Sequence, residues 1–369
     1  MKNAFKFILM FLMGAAVGVV IILFAKDNAS SPVHFIEFIV ALVIAAYLQV
    51  ILHEAGHLVF GLLSGYRFVS FRVGSLTLIK DGNGKMRFKR FKLAGTGGQC
   101  LMSPPQDVPL DKIPTKLYNA GGALVNLLCA VVSLLLLLYC DGMPSWLRYF
   151  LAATMAIGFF FALLNGIPLK IGGIANDGRN IFFLNRDKQA VKGFAIQLIV
   201  NEKLQNGMRL CQMPDELFDL DGDIDYSDPL QANVGLLASS RELDKGNVEL
   251  ANEQFKELLL NHGNELMPLY RLEAMCEATF TSLATGDLER AKRYVANKLM
   301  MKYATKHAAV MTTKQRVLMA KALILDGDRA RAESLYNEVV DRRDSYLMQG
   351  EVASDIELMK RLLDSQNSD

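Results

Sequence analysis

Cysteine is scarce in this 369-residue chain and badly spaced for pairing. The five (Cys100, Cys129, Cys140, Cys211 and Cys276) are odd in number, and no two have a CxxC spacing. That excludes a secreted disulfide framework and a cysteine zinc site, and five free thiols fit a reducing, cytosolic side. Net charge is nearly absent too: 40 Lys and Arg against 38 Asp and Glu leave +2. Without a concentrated basic face, nucleic acid is excluded as the main partner. A phosphate loop is missing as well. Gly95-Thr96-Gly97-Gly98 has the glycines but neither the Gly-Lys-Ser/Thr ending nor a soluble helix after it.

What the chain has in quantity is apolar residues, 51% of the total, and they are clumped. Long apolar runs crowd the first half at Phe5 to Ala25, Phe35 to Leu63, Leu117 to Tyr139 and Trp146 to Ile167. Each is long enough to cross the hydrocarbon of a bilayer, which takes about 20 residues. The first run is long for a signal peptide, and no small-x-small cleavage site follows before Lys26 and Asp27, so it reads as a retained anchor. Basic residues collect at Lys2 and Lys6, between the second and third runs, and after the fourth. The positive-inside rule then places both termini and the long basic loop in the cytosol, with the chain multi-pass in the cell membrane.

Within the basic loop, Phe68, Ser70 and Arg72, then Leu76 and Leu78, then Met86, Phe88 and Arg90 alternate as strands do. Asp81-Gly82-Asn83-Gly84 is a strong turn signal between them, so a membrane-adjacent β-hairpin is expected. Past about Asn206 the chain reads as soluble. The stretch Asp215 to Asp228 has acids two apart, as in a calcium loop. Ile224 stands where that loop needs Gly and Leu230 where it needs Glu, so it reads as a solvated acidic linker. In the last third, Gly246-Asn247, Gly286-Asp287 and Gly327-Asp328 recur, each followed by Ala at one offset: Ala251, Ala291 and Ala332. Small residues at a fixed helix position suit stacked helical hairpins of the tetratricopeptide type. The expected fold is thus mainly α: a polytopic bundle of about four spans with a β-hairpin, then a soluble helical, TPR-like domain. The expected divisions are 1–30 (anchor), 31–200 (membrane core), 201–229 (acidic linker) and 230–369 (cytosolic helical repeat).

His53-Glu54-Ala55-Gly56-His57 carries the chemistry. Residues four apart share a helix face, so both imidazoles reach one metal ion, and Glu54 beside them touches a metal-bound water without being a ligand. All three lie inside an apolar span, where an ionisable side chain costs about 2.5–3.5 kcal/mol unless something compensates it. A catalytic zinc needs a third protein ligand and an open fourth position. His34 falls at the far end of the same run, and His262 and His307 lie in the soluble region. Asp177 is the attractive choice: Pro168 and Gly172-Gly173 break the helix before it, so the chain can turn and present a carboxylate.

On these residues the chain resembles the site-2 protease family, peptidase family M50. That family pairs HExxH on one membrane helix with an Asn-Pro…Asp-Gly motif on a later one, matched here by Asn165, Pro168, Asp177 and Gly178. A family Gly-x-x-x-Asn on the intervening helix is matched by Gly122 and Asn126. The resemblance covers about residues 35 to 195. It departs in the glycine-rich gap before Asp177, in lacking an inserted PDZ domain, and in the C-terminal third. It implies a zinc-dependent intramembrane endopeptidase acting on membrane protein or peptide substrates within the lipid bilayer. His53, His57 and Asp177 would be the metal ligands and Glu54 the general base. It implies substrate-binding or oxyanion roles for Asn126 and Asn165, whose alternative is to tie helices together. The C-terminal domain would bind a cytosolic protein partner. The competing reading of the whole is a membrane-anchored helical-repeat scaffold with an inactive protease-like core.

Overall fold

A computed structural model describes residues 32–80, 84–91, 97–171 and 173–366, together with Gly14 and Gly18. The expected first span lies outside the described residues, apart from those two glycines. The chain forms two compact units: Met1–Gly74 with Gly97–Pro105 and Pro114–Asp187, and Ser75–Thr96 with Gln106–Ile113 and Lys188–Asp369.

The first unit is built on three helices long and apolar enough to cross a membrane: α1 (Pro32–Leu63), α2 (Thr115–Tyr139) and α3 (Ser145–Gly166). They correspond to the second, third and fourth apolar runs. Large apolar side chains point outward on two of them, as with Val40, Tyr47 and Leu62 on α1 and Leu128 and Leu138 on α2. Many interior positions are small instead: Ala41, Ala45, Ala130 and Ala153 are buried, beside a few large side chains such as Phe38 and Tyr149. In lipid there is no hydrophobic drive between helices, so close packing of small residues supplies the attraction. Gly56 and Gly121 mark the tightest crossing. A Cβ on Gly56 would fall 2.2 Å from the Gly121 carbonyl oxygen, so α1 and α2 meet backbone to backbone.

Strand β1 (Arg67–Val73) pairs antiparallel with β4 (Gly98–Ser103), Phe71 opposite Cys100, with an irregularity between Phe68 and Ser70. After α3 a two-residue ladder, β5 (Lys170–Ile171) with β6 (Ile174–Ala175), turns the chain through Gly173 at φ 95° and delivers it to α4 (Asp177–Phe183).

In the second unit, β2 (Leu76–Lys80) and β3 (Met86–Arg90) form the hairpin foreseen from the alternation, with Leu78 opposite Phe88. The helices are α5 (Lys188–Gln205), α6 (Pro229–Lys245), α7 (Val248–Asn261), α8 (Pro268–Ala284), α9 (Leu288–Val295), α10 (Lys298–His307), α11 (Thr312–Ile324), α12 (Arg329–Asp341) and α13 (Gln349–Ser365). The three recurring glycines do one job. Gly246, Gly286 and Gly327 have φ of 92°, 77° and 65° at the turns α6–α7, α8–α9 and α11–α12, a left-handed conformation that stops a helix. Asp287 and Asp328 then cap the next helix, accepting from the amides of Arg290 and Arg331. Ala251, Ala291 and Ala332 are fully buried where these helices pack. The acidic stretch behaves differently from a solvated tether. Leu217 and Leu220 between its acids, and Met213 just before them, are buried in a cluster with Ile196, Val200, Leu204 and Val234.

Candidate metal centre

Three ligand atoms converge inside the first unit. His53 Nε2 and His57 Nε2 are 3.2 Å apart, and Asp177 Oδ2 lies 3.3 Å from the first and 3.4 Å from the second. Four-coordinate zinc holds nitrogen and oxygen at about 2.0–2.1 Å, and tetrahedral angles then put neighbouring ligand atoms about 3.3–3.4 Å apart. The near-equilateral triangle matches that separation on all three sides, so the residues present fit the ion.

The imidazoles are turned by what lies behind them. His57 Nδ1 is 2.9 Å from the Tyr118 carbonyl, which can only accept, so Nδ1 carries the proton and the Nε2 lone pair faces the triangle. His53 Nδ1 is 2.8 Å from Asn126 Oδ1. Asn126 is fully buried, and its amide nitrogen donates to the Gln49 carbonyl at 2.9 Å and to Gln49 Oε1 at 2.6 Å. That assigns Oδ1 as the acceptor, so His53 too donates from Nδ1. Gln49 in turn donates from Nε2 to the Thr154 carbonyl, 2.9 Å away on α3. One chain of hydrogen bonds therefore runs from α3 through Gln49 and Asn126 to the metal-facing ring. Such support usually governs metal affinity by about 10–100-fold.

Gly122 explains the other half of the Gly-x-x-x-Asn pattern. A Cβ there would sit 2.4–2.8 Å from three atoms of the His53 ring. One turn of α2 thus provides both the gap for the ring and, at Asn126, the acceptor that orients it.

Asp177 opens α4, and Asn176 before it holds the junction. Asn176 Oδ1 accepts from the amides of Leu169 at 2.9 Å and Arg179 at 3.0 Å, while Nδ2 donates to the carbonyls of Leu164 and Ile167, each at 2.7 Å. The broken end of α3 and the start of α4 are pinned by one side chain. Asn180 Nδ2 donates to Asn119 Oδ1 at 2.9 Å, tying α4 to α2. Backbone at membrane depth needs its polar groups satisfied, and these asparagines supply the partners.

Glu54 stays half-buried beside the triangle. Its carboxyl accepts from the backbone of Cys100 on β4, and a Cβ on Gly98 would fall 2.7 Å from both its Cγ and Oε1. The first residue of β4 therefore lies directly against the carboxylate.

The structure thus brings together His53, His57 and Asp177, the group from which a metal site was expected. Asn126 lies behind His53 with its amide engaged on Gln49. Asn165 donates to Phe161 O of its own helix at 3.1 Å, and no described bond joins it to the triangle. The other histidines lie elsewhere: His34 beside Glu37 at 3.1 Å, His262 stacked on Tyr226 and His307 beside Tyr303. Gln49 and Asn176 went unnoticed in the sequence. The signals were present: a lone glutamine one turn ahead of His53 in an apolar run, and an asparagine at the position that caps a helix.

Helices long and apolar enough to cross a membrane thus accompany a His-His-carboxylate group that could hold a metal ion. The family model for Peptidase family M50 matches residues 38–328, so the chain belongs to that family. No curated protein and no solved structure matches it. The matched span runs well past position 195, where the likeness carried by the motifs alone ends.

Proposed function

We propose that the protein is a zinc-dependent intramembrane endopeptidase. The observation that carries this reading is the triangle of His53, His57 and Asp177 with Glu54 at its side, the two histidines and the glutamate lying on a helix apolar enough to span a bilayer. Zinc held by the three ligands supplies a Lewis acid for the scissile carbonyl and lowers the pKa of the attacking water. His53 and His57 hold their Nε2 lone pairs in place through Asn126 and Tyr118. Glu54 takes the proton from the water as it adds to the carbonyl carbon. It returns that proton to the amide nitrogen, which leaves as the amine when the C–N bond breaks. A substrate must be extended to expose a carbonyl, because a helix shields its own. Strand β4, beginning against Glu54, is placed to pair with such a segment by β-addition. Asn165, at the end of α3, is a donor for the substrate backbone, and Asn126 serves by holding His53.

The reading extends to topology. With four spans, both termini and the basic loop face the cytosol, the substrate is a membrane protein or peptide, and residues 230–369 form a cytosolic, TPR-like partner domain. Metal analysis and cleavage of a transmembrane peptide in detergent test the core of it. Glu54→Gln should keep about one zinc per chain and lose about 10²–10⁴-fold in cleavage rate, whereas Asp177→Ala should lose the zinc itself. Full zinc occupancy in Asp177→Ala, or wild-type cleavage by Glu54→Gln, sinks the assignment.

A further inference from the structure

The second unit encloses a cavity of about 380 Å³ among α5, α6, α8, α11 and α13. Its volume falls within the range of ligand sites, about 300–1,000 Å³. One wall is apolar, with Leu236, Leu269 and Met311, and the other is charged, with Glu273, Glu277, Arg316, Glu351 and Asp355. The charged wall is unbalanced. Glu273 pairs with Lys314 and Glu277 with Arg316. Asp355, buried, takes Arg316 Nη1 at 3.2 Å and the Thr312 hydroxyl at 2.5 Å. Four carboxylates thus face two cations, and Glu351 has no hydrogen-bond or ion-pair partner among the described residues.

Arg316 cannot supply the missing cation, because it is only 3% exposed and already pairs with Glu277 and Asp355. A cationic side chain answers the want at Glu351, and the apolar wall suits the aliphatic stem of a lysine or arginine.

We propose that this cavity binds a protein segment through a lysine or arginine side chain, with Glu351 receiving the cation. The source of that segment rests on the function proposed above: cytosolic flanks of membrane proteins are rich in Lys and Arg, so a substrate's flank is a suitable occupant.

The test uses the full chain in detergent and a short fluorescein-labelled peptide with a Leu-Lys-Leu core, compared with Leu-Gln-Leu and Leu-Glu-Leu versions. Fluorescence anisotropy should show the lysine peptide binding at least about tenfold more tightly than either other peptide. Glu351→Gln should lose that preference and Glu351→Asp should keep part of it. Because Glu351 has no partner to lose, its amide variant should retain amide hydrogen-exchange protection in α8, α11 and α13, which separates a binding role from a structural one. Equal binding of the three peptides by the wild type overturns the proposal, whatever the variants do. So does an undiminished lysine preference in Glu351→Gln. Measuring cleavage and peptide binding side by side on the wild-type chain separates the two readings: absent cleavage with intact peptide preference counts against the protease, and cleavage without peptide preference counts against the cavity.

Discussion

The two units bury polar groups in opposite ways. In the first, between apolar helices, the buried groups around the metal triangle are mostly neutral amides and carbonyls: Gln49, Asn126, Asn119 and the Tyr118 carbonyl. Gln49 and Asn126 form a relay to His53, the Tyr118 carbonyl accepts from His57, and Asn119 ties α2 to the helix that carries Asp177. In the second, the buried groups are full charges. Lys314 is fully buried, Arg316 and Asp355 nearly so, and they are paired across α8, α11 and α13. Where no water can help, a neutral relay aims a ligand at little desolvation cost. Where the helices pack as in a soluble protein, ion pairs are tolerated if every charge is met. The charge left over, Glu351, is then informative, just as the converging lone pairs are in the other unit.

The sharpest way to break the comparison is to remove one charge from the second unit. Arg316→Leu strands Glu277 and Asp355, and losing one partner of a buried pair costs about 3–5 kcal/mol. Hydrogen exchange should show α8, α11 and α13 opening together, while zinc content stays at the wild-type level. Protection unchanged within about 1 kcal/mol would mean that these pairs are wet and inexpensive.

The corresponding cut in the first unit should act on affinity more than on stability. Asn126→Leu removes the acceptor behind His53, and zinc affinity should fall by about 10–100-fold in a competition titration. Gln49→Met should weaken it less, because Asn126 Oδ1 still meets the ring. The double variant should resemble Asn126→Leu alone, since both act through one chain of bonds. Additive losses would mean that Gln49 serves the site by some other route.

How much of this was legible follows the same division between local and distant. His53, Glu54 and His57 were legible because their spacing is a property of one helix. Asp177 was legible because a broken helix end announces itself in Pro168 and the Gly172-Gly173 pair. The β2–β3 hairpin followed from its turn, Asp81 to Gly84. The pairing of β1 with β4 did not, because strands some 25 residues apart leave no local mark of their register. Asn126 could be marked as important, but its partner could not, since Gln49 lies on another helix 77 positions away. The acidic stretch misled for a different reason. Its charges are conspicuous, and the interleaved Leu217 and Leu220 that anchor it are not.

The smallest predicted effect is a pH dependence confined to the second unit. Burial raises the carboxyls of Glu351 and Asp355 above their ordinary values of 4.5 and 3.8, with Asp355 adding to the rise at Glu351, against the pull of Lys314 and Arg316. Glu273 and Glu277, facing them from α8, push the same way at Glu351. An acid with a raised folded-state pKa binds more protons folded than unfolded, so stability falls as pH rises from about 4.5 through neutrality. Each such group contributes at most about 1.4 kcal/mol per pH unit while it titrates. Hydrogen exchange of α13 amides, corrected for intrinsic rate, should therefore show protection declining from pH 5 to pH 8. Glu351→Gln removes one of the two groups, so its protection should decline less, and the gap between variant and wild type should widen with pH in the variant's favour. A wild-type profile that is flat, or that rises over this range, would mean that Glu351 already has a cationic partner in the folded chain. The contrast between a metal site whose buried amides are engaged and a wall with an unmatched acid would then fail.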